Sequence, residues 1–233
     1  MLDLHTHILP GIDDGSRSVK MSLSMLRREA RQGTKDLVLS PHFYAHRHSP
    51  ERFLKKREDA MALLQEAIGE DSRYPRLYLG AEVAYFDGMS RVEDIDQLCI
   101  ADTRCMLVEM PFCKWNRRIL DDVFQLKEYL GVQPILAHIE RYMRFQPLGI
   151  ARELSEEGLL IQANASFFTG WPSSVKAMHM LKNRCIHFIG SDCHDLEKRP
   201  PNLADALDNI ERKLGEPAIR YLDRMGRMLL EGE

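Results

Sequence analysis

Seven short apolar runs punctuate the chain: Leu2–His5, Asp36–His42, Arg76–Tyr85, Arg104–Pro111, Gln133–His138, Leu159–Ala165 and Ile186–Asp192. Each is rich in Leu, Ile or Val and lacks clean alternation, the pattern of a strand covered on both faces. Between them, apolar positions recur at helical spacing over Met21 to Ala30, Glu51 to Ile68, Asn116 to Leu130, Pro147 to Glu157, Ser173 to Asn183 and Pro201 to Leu214. The second helix follows Ser49-Pro50, a capping side chain and then a proline suited to the first turn. A last amphipathic stretch, Glu216 to Leu230, is expected to pack on the body of the fold. There is no fixed-period repeat, low-complexity tract or linker-like run. The pattern predicts an α/β fold: a TIM-like distorted (β/α)7 barrel, formed by residues 1–233 as a single domain and one unit short of the eightfold type.

Composition narrows the class. The chain has 233 residues, 44% hydrophobic and 29% charged, which fits a globular protein. A net charge of −3 gives no electrostatic case for nucleic acid. No run of eighteen apolar residues predicts a membrane span. No signal-peptide pattern precedes the first strand, so a cytoplasmic protein is expected. Five cysteines without a CxxC pair argue against a disulfide framework or a zinc ribbon and are expected to be reduced, mostly buried thiols.

Polar residues at the strand ends carry the chemistry. Strand one ends in His5-Thr6-His7, followed by Asp13-Asp14. In a strand, residues two apart share a face, so both imidazoles can aim at one point. The second strand ends in Ser40-Pro41-His42, and the third holds Glu82. The fourth ends at Glu109, the fifth at His138 and the seventh at Asp192-Cys193-His194. The sixth offers Gln162 and Asn164, polar but not evident metal ligands. In a parallel barrel these ends share one face. A lone strand-end histidine is commonly a core or rim residue. A glutamate in LYLGAEVAY or CMLVEMP is different, because a buried carboxylate needs a cation or a donor. Five histidines and four acids on one rim can hold two or three divalent ions. An N/O donor set without thiolate favours Mn, Fe or Zn. Arg141 and Arg199 follow the histidines of strands five and seven, and their guanidinium forks suit phosphate.

The motifs DLHTHILPGIDDGS, SPHFY, LGAEV, LVEMP, AHIERY and SDCHDLEKRPP resemble the polymerase and histidinol phosphatase (PHP) superfamily. The match is strongest to its bacterial capsule and exopolysaccharide branch of metal-dependent protein-tyrosine phosphatases. The resemblance runs from Met1 to about Pro201 in order and spacing. It implies a β/α barrel with a three-ion cluster, usually manganese, at its mouth. His5, His7, Asp14, His42, Glu82, Glu109, His138, Asp192 and His194 would be the ligands. Glu82 would bridge two ions, while Asp14, His42 and His194 would hold the third. Asp14 would then serve a different ion from His7. Arg141 and Arg199 would be the catalytic arginines that bind substrate phosphate. Two positions depart from the pattern: Ile139 stands where members often have proline, and Cys193 lies between two ligands, where oxidation would reach it.

The activity implied is hydrolysis of a phosphomonoester by metal-activated hydroxide, with no covalent phosphoenzyme. By resemblance, the substrate is a phosphotyrosine protein, a tyrosine autokinase of polysaccharide export. A small-molecule phosphatase of the histidinol phosphate type is the alternative, though such chains tend to be longer. A non-catalytic metal-binding module is the alternative of another class, and the full ligand set argues against it. Two features are read as bystanders. Cys193 to Arg199 fits the C-x5-R pattern of cysteine-dependent tyrosine phosphatases, but Asp195 and Glu197 would repel phosphate there. His46 and His48 form a second HxH in a polar loop and are expected to be solvated.

Overall fold

Each apolar run becomes a strand that enters its sheet in parallel. The computed structural model describes residues 1–231 and begins β1 (Leu2–Thr6), α1 (Val19–Arg31), β2 (Asp36–Leu39), β3 (His42–Phe43), α2 (Pro50–Ile68), β4 (Arg76–Leu79) and β5 (Glu82–Ala84). It continues with β6 (Cys105–Glu109), α3 (Arg117–Leu130), β7 (Gln133–Leu136), α4 (Ile150–Glu156), β8 (Leu160–Asn164), α5 (Ala165–Thr169), α6 (Ser173–Lys182), β9 (Phe188–Gly190), α7 (Leu203–Leu214) and α8 (Glu216–Glu231). Side-chain caps start three helices. Ser18 accepts from Met21 N–H at 3.3 Å, Ser49 from Arg52 N–H at 3.4 Å and Asn116 from Ile119 N–H at 3.0 Å. Among the described residues, no helix is long and apolar enough to cross a membrane.

Two expected strands are interrupted. The run from Asp36 divides into β2 and β3 at Ser40-Pro41, and the run from Arg76 divides into β4 and β5 at Gly80-Ala81. Proline lacks the N–H that a continuous ladder needs. The wall nevertheless continues: Gly80 N–H donates to Leu39 at 2.9 Å and Glu82 N–H to Pro41 at 3.0 Å. The apolar run to Ala165 predicts a strand through that residue, but the strand ends at Asn164 and Ala165 opens α5. Between β5 and β6 the chain makes only 3-10 turns at Met89–Arg91 and Ile95–Leu98, so this crossover has no outer α-helix.

All ladders are parallel, in the orders β1-β2-β4 and β3-β5-β6-β7-β8-β9. Counting each interrupted pair as one strand gives a curled wall of seven. The ends meet where Asp192 N–H donates to His5 at 2.7 Å and His7 N–H to Cys193 at 2.9 Å. Leu4, Val38, Leu107, Ile135, Ala137 and Phe188, drawn from strands around the wall, pack into one buried cluster. On the outside, Met25 and Leu26 of α1 and Leu64 of α2 pack with Leu37 and Leu39 of β2. α8 runs beside β9, with Gly226 against Leu2.

Two glycines set the site by allowing close approach. A Cβ on Gly190 would lie 2.5 Å from His5 Cβ and 2.9 Å from His5 N, so only glycine lets β9 pass β1 there. A Cβ on Gly15 would lie 2.2 Å from the His7 carbonyl oxygen, so the 13–16 turn folds directly over His7. Gly190→Ala is therefore expected to destabilise the protein by about 1–3 kcal/mol, the usual cost of overpacking. A lower urea midpoint with an unchanged m-value would be the readout.

Candidate metal centre

Glu82 is the hub of the strand-end cluster and is 1% exposed. Its Oε1 lies 2.7 Å from His138 Nε2. Its Oε2 lies 2.9 Å from His42 Nδ1, 3.2 Å from His5 Nε2 and 3.3 Å from His7 Nε2. Asp192 is a second hub, with Oδ1 3.4 Å from His7 Nε2 and 3.6 Å from both His5 Nε2 and His194 Nδ1. Asp14 Oδ1 lies 3.4 Å from both His42 Nε2 and His194 Nε2. Glu109, at the end of β6, lies 3.6 Å from His138 Nε2. All nine residues named from the sequence thus meet at one mouth. Their donor atoms form three overlapping groups: His7, Asp14, His42 and His194; His5, His7 and Asp192; and His42, Glu82 and Glu109. His7 belongs to two of them, so it shares a group with Asp14 rather than standing apart from it.

Orientation makes the cluster more than a crowd. His7 Nδ1 is held by Asp13 Oδ2 at 2.7 Å, His194 Nδ1 by the Asp192 carbonyl at 3.0 Å, and His5 Nδ1 by Gln162 Oε1 at 3.4 Å. In the neutral imidazole each acceptor takes the ring N–H and leaves Nε2 as a lone pair facing the cluster. Such outer partners are how proteins orient histidine toward a cation. The inner atoms match. His5 Nε2 and His7 Nε2 face each other at 3.0 Å. Glu82 Oε2, His42 Nδ1 and His194 Nε2 are buried without an aligned hydrogen-bond partner, although Glu82 and His42 lie within 2.9 Å. Lone pairs and carboxylates converging at this spacing suit divalent cations of the kind bound by nitrogen and oxygen.

The titration behaviour follows from the same crowding. Burial alone would lower the pKa of His5, but the charges of Glu82 and Asp192 hold it above the usual imidazole value. Burial opposes protonation of His7 too, and contacts with Asp13, Asp192 and Glu82 raise it well above that value. Burial disfavours charge on Glu82, yet the His5 charge and contacts with His138 and His42 hold its pKa well below the ordinary carboxylate range. Glu109 is pushed up to about 7 by burial and by the Glu82 charge. His194 is pushed down to about 4 by burial, His7 and Arg199.

Several supporting residues gave no clear signal in the sequence. Asp13 holds His7 and also accepts from the N–H groups of Gly15 at 2.9 Å and His42 at 3.1 Å. Gln162 Oε1 accepts from His138 N–H at 2.6 Å, Gln162 Nε2 donates to Asn164 at 3.0 Å, and Asn164 donates to Asp192 Oδ2 at 2.9 Å. This β8 relay ties two ligand candidates together. Both of them, His138 (φ 30°) and Asp192 (φ 53°), occupy left-handed backbone at the strand ends, a cost that surrounding bonds must hold.

Arg141 and Arg199 converge on one carboxylate. Arg199 Nη2 lies 2.6 Å from Asp192 Oδ1, and Arg141 Nη2 pairs with Asp192 Oδ2. With side-chain exposures of 34% and 37%, both arginines stay partly open to solvent beside the cluster. The C-x5-R loop offers no phosphate cradle. Asp195 Oδ1 already accepts from the N–H groups of Glu197, Lys198 and Arg199 at 2.7, 2.6 and 3.1 Å. Cys193 packs with Leu26 and Leu39, fully buried, and burial drives its thiol pKa well up. The expectation that oxidation would reach Cys193 is corrected by this burial. His46 lies exposed in the 44–48 loop beside Arg47, as expected, whereas His48 is half-buried and lines a cavity with Asp14 and His42.

A parallel β/α barrel with an N/O donor cluster and two arginines at its mouth defines a metal-centre class of protein. The chain belongs to the family described as capsular polysaccharide synthesis, CpsB/CapC, whose model matches residues 1–226. It is 29% identical over 239 residues to the tyrosine-protein phosphatase CpsB of Streptococcus pneumoniae, covering 95% of this chain and 94% of that protein. It is 28% identical over 244 residues to the tyrosine-protein phosphatase YwqE of Bacillus subtilis, covering 100% and 92%. A solved chain from work on YwqE of B. subtilis and CpsB of S. pneumoniae, described as metal-dependent tyrosine phosphatases, superposes with a TM-score of 0.87. That match has 24% identity and covers 100% of this chain and 95% of the other. A putative histidinol phosphatase from Listeria monocytogenes shares the fold at a TM-score of 0.55 and 12% identity, covering 83% and 95%.

Asp13→Ala is expected to weaken Mn2+ binding by about 10–100-fold, the usual effect of losing an orienting partner. Competition with a chromophoric chelator measures it. Protons on His5 and His7 compete with a cation, and both pKa values are raised. Affinity in the unaltered protein should therefore increase with pH as those protons leave.

Proposed function

We propose that this chain is a metal-dependent protein-tyrosine phosphatase acting on a tyrosine autokinase of capsule or exopolysaccharide export. One observation carries the reading: nine nitrogen and oxygen ligand candidates and two arginines meet at one mouth. The family's description and the names of the curated relatives support the substrate class. His5, His7, Asp14, His42, Glu82, Glu109, His138, Asp192 and His194 would hold three divalent ions. Manganese suits this donor set, with iron or zinc as substitutes. When bound, such ions activate water near neutral pH and neutralise phosphate charge.

The chain's own groups then position the substrate. Arg141 and Arg199 each use part of the guanidinium fork on Asp192 and offer the rest to phosphate oxygens. Fixed by that carboxylate, they stabilise charge that builds on the equatorial oxygens without having to reorganise. Phenolate, with a pKa of about 10, leaves more readily than an alkoxide. Cys193 takes no part, because it is buried away from the mouth. The whole chain acts as one catalytic unit, with α8 closing it beside β9. Five free cysteines fit a reducing, cytoplasmic setting.

The purified protein is expected to release phosphate from a phosphotyrosine peptide, with Mn2+ stimulating and EDTA abolishing turnover. Arg141→Ala should retain its metal content by elemental analysis and lose about 10²–10³ in kcat, the scale of one lost transition-state donor. Cys193→Ser should retain turnover. Loss of activity in Cys193→Ser with indifference to EDTA would overturn the metal reading.

A further inference from the structure

Phe112 is the anomaly of the mouth. It is 47% exposed, although it stands beside His138, one of the metal-ligand candidates. It is not a loose side chain. Its ring lies nearly parallel to His138, at 15° with centroids 6.4 Å apart, and packs on Tyr142 at 5.2 Å. Tyr142 is itself fixed: fully buried, it packs against Trp115 at 5.2 Å and its hydroxyl oxygen accepts from Met110 N–H at 2.9 Å. A rigid backing thus holds an apolar ring face open to water.

Its place relative to the cluster is defined by contacts. Phe112 stands on His138, which meets Glu82 Oε1 at 2.7 Å. On the other side, Tyr44 stacks on His42 at 5.2 Å, and His42 meets Glu82 Oε2 at 2.9 Å. Two aromatic rings therefore flank the hub of the cluster, one beyond each carboxylate oxygen. Arg47 already lies over the Tyr44 ring, at 4.8 Å. Phe112 has no such cover.

We infer that Phe112 is the specificity-determining platform on which the aryl ring of a phosphotyrosine substrate stacks while its phosphate sits at the cluster, with Tyr44 as the opposite lip. This rests on the phosphatase reading above. In phosphotyrosine a single oxygen joins phosphorus to the ring, so a phosphate at the hub leaves its ring level with the flanking side chains. An alkyl phosphate places nothing flat there. Aromatic pairing supplies stabilisation beyond plain area burial, so Phe112 selects aryl over alkyl esters.

The test uses two phosphonates that cannot be hydrolysed, benzylphosphonate and ethylphosphonate, as competitive inhibitors of the Mn2+-loaded full chain acting on a phosphotyrosine peptide. The ratio of their inhibition constants normalises any general disturbance of the site. Benzylphosphonate is expected to bind about 2–10-fold more tightly in the unaltered protein. Phe112→Ala should erase most of that preference, and Phe112→Tyr should keep it. A ratio unchanged in Phe112→Ala overturns the assignment, as does a ratio lost equally in Phe112→Tyr. If the unaltered protein neither cleaves the peptide nor binds either phosphonate, the phosphatase reading itself fails, a result distinct from a lost preference.

Discussion

A buried carboxylate organises this molecule. Glu82 would be costly in a protein interior if left alone. Here three strand-end imidazoles and one from the turn after β1 close around its two oxygens. The β-wall brings those imidazoles together. His5 belongs to β1, His42 opens β3 and His138 follows β7, so bending the wall around Glu82 and building the donor cluster are one event. The interruptions at Ser40-Pro41 and Gly80-Ala81 serve that geometry, because His42 and Glu82 each begin the second half of a broken strand and pair in register.

The outer contacts decide what the cluster can do. Without Asp13, Gln162 and the Asp192 carbonyl, the ring nitrogens would be free to choose either tautomer, and their lone pairs would not converge. The arginines depend on a similar arrangement. By resting on Asp192, Arg141 and Arg199 are pointed at the mouth before anything enters it. Preorganisation of this kind is what makes charged groups effective at a reaction centre.

The sequence made the ligand candidates readable because ligation is a matter of residue type at strand ends. His5, His42, Glu82, Glu109, His138 and Asp192 each mark the edge or break of an apolar run, and a parallel wall gathers such edges on one side. The supporting residues were harder to read. Asp13 looks like Asp14 in sequence, and only the turn permitted by Gly15 separates the holder of His7 from the half-open partner of His42 and His194. Gln162 and Asn164 were legible as polar interruptions of a strand, but their relay spans β7, β8 and β9 and has no local pattern. Boundaries failed where a non-ladder backbone intervened, as at Pro41 and at Ala165. The burial of Cys193 follows from the same alternation: it lies between two site residues and packs with Leu26 and Leu39 instead.

The seam between β9 and β1 joins residues from opposite ends of the chain; Ser191 N–H donates to Asp3 across 188 positions. Contacts this distant in sequence are the slow ones to form. During synthesis, a ribosome must extend the chain past Phe188 before Asp192 and His194 exist to meet His5 and His7. A truncated or half-made chain can carry most of the histidines and still lack a centre.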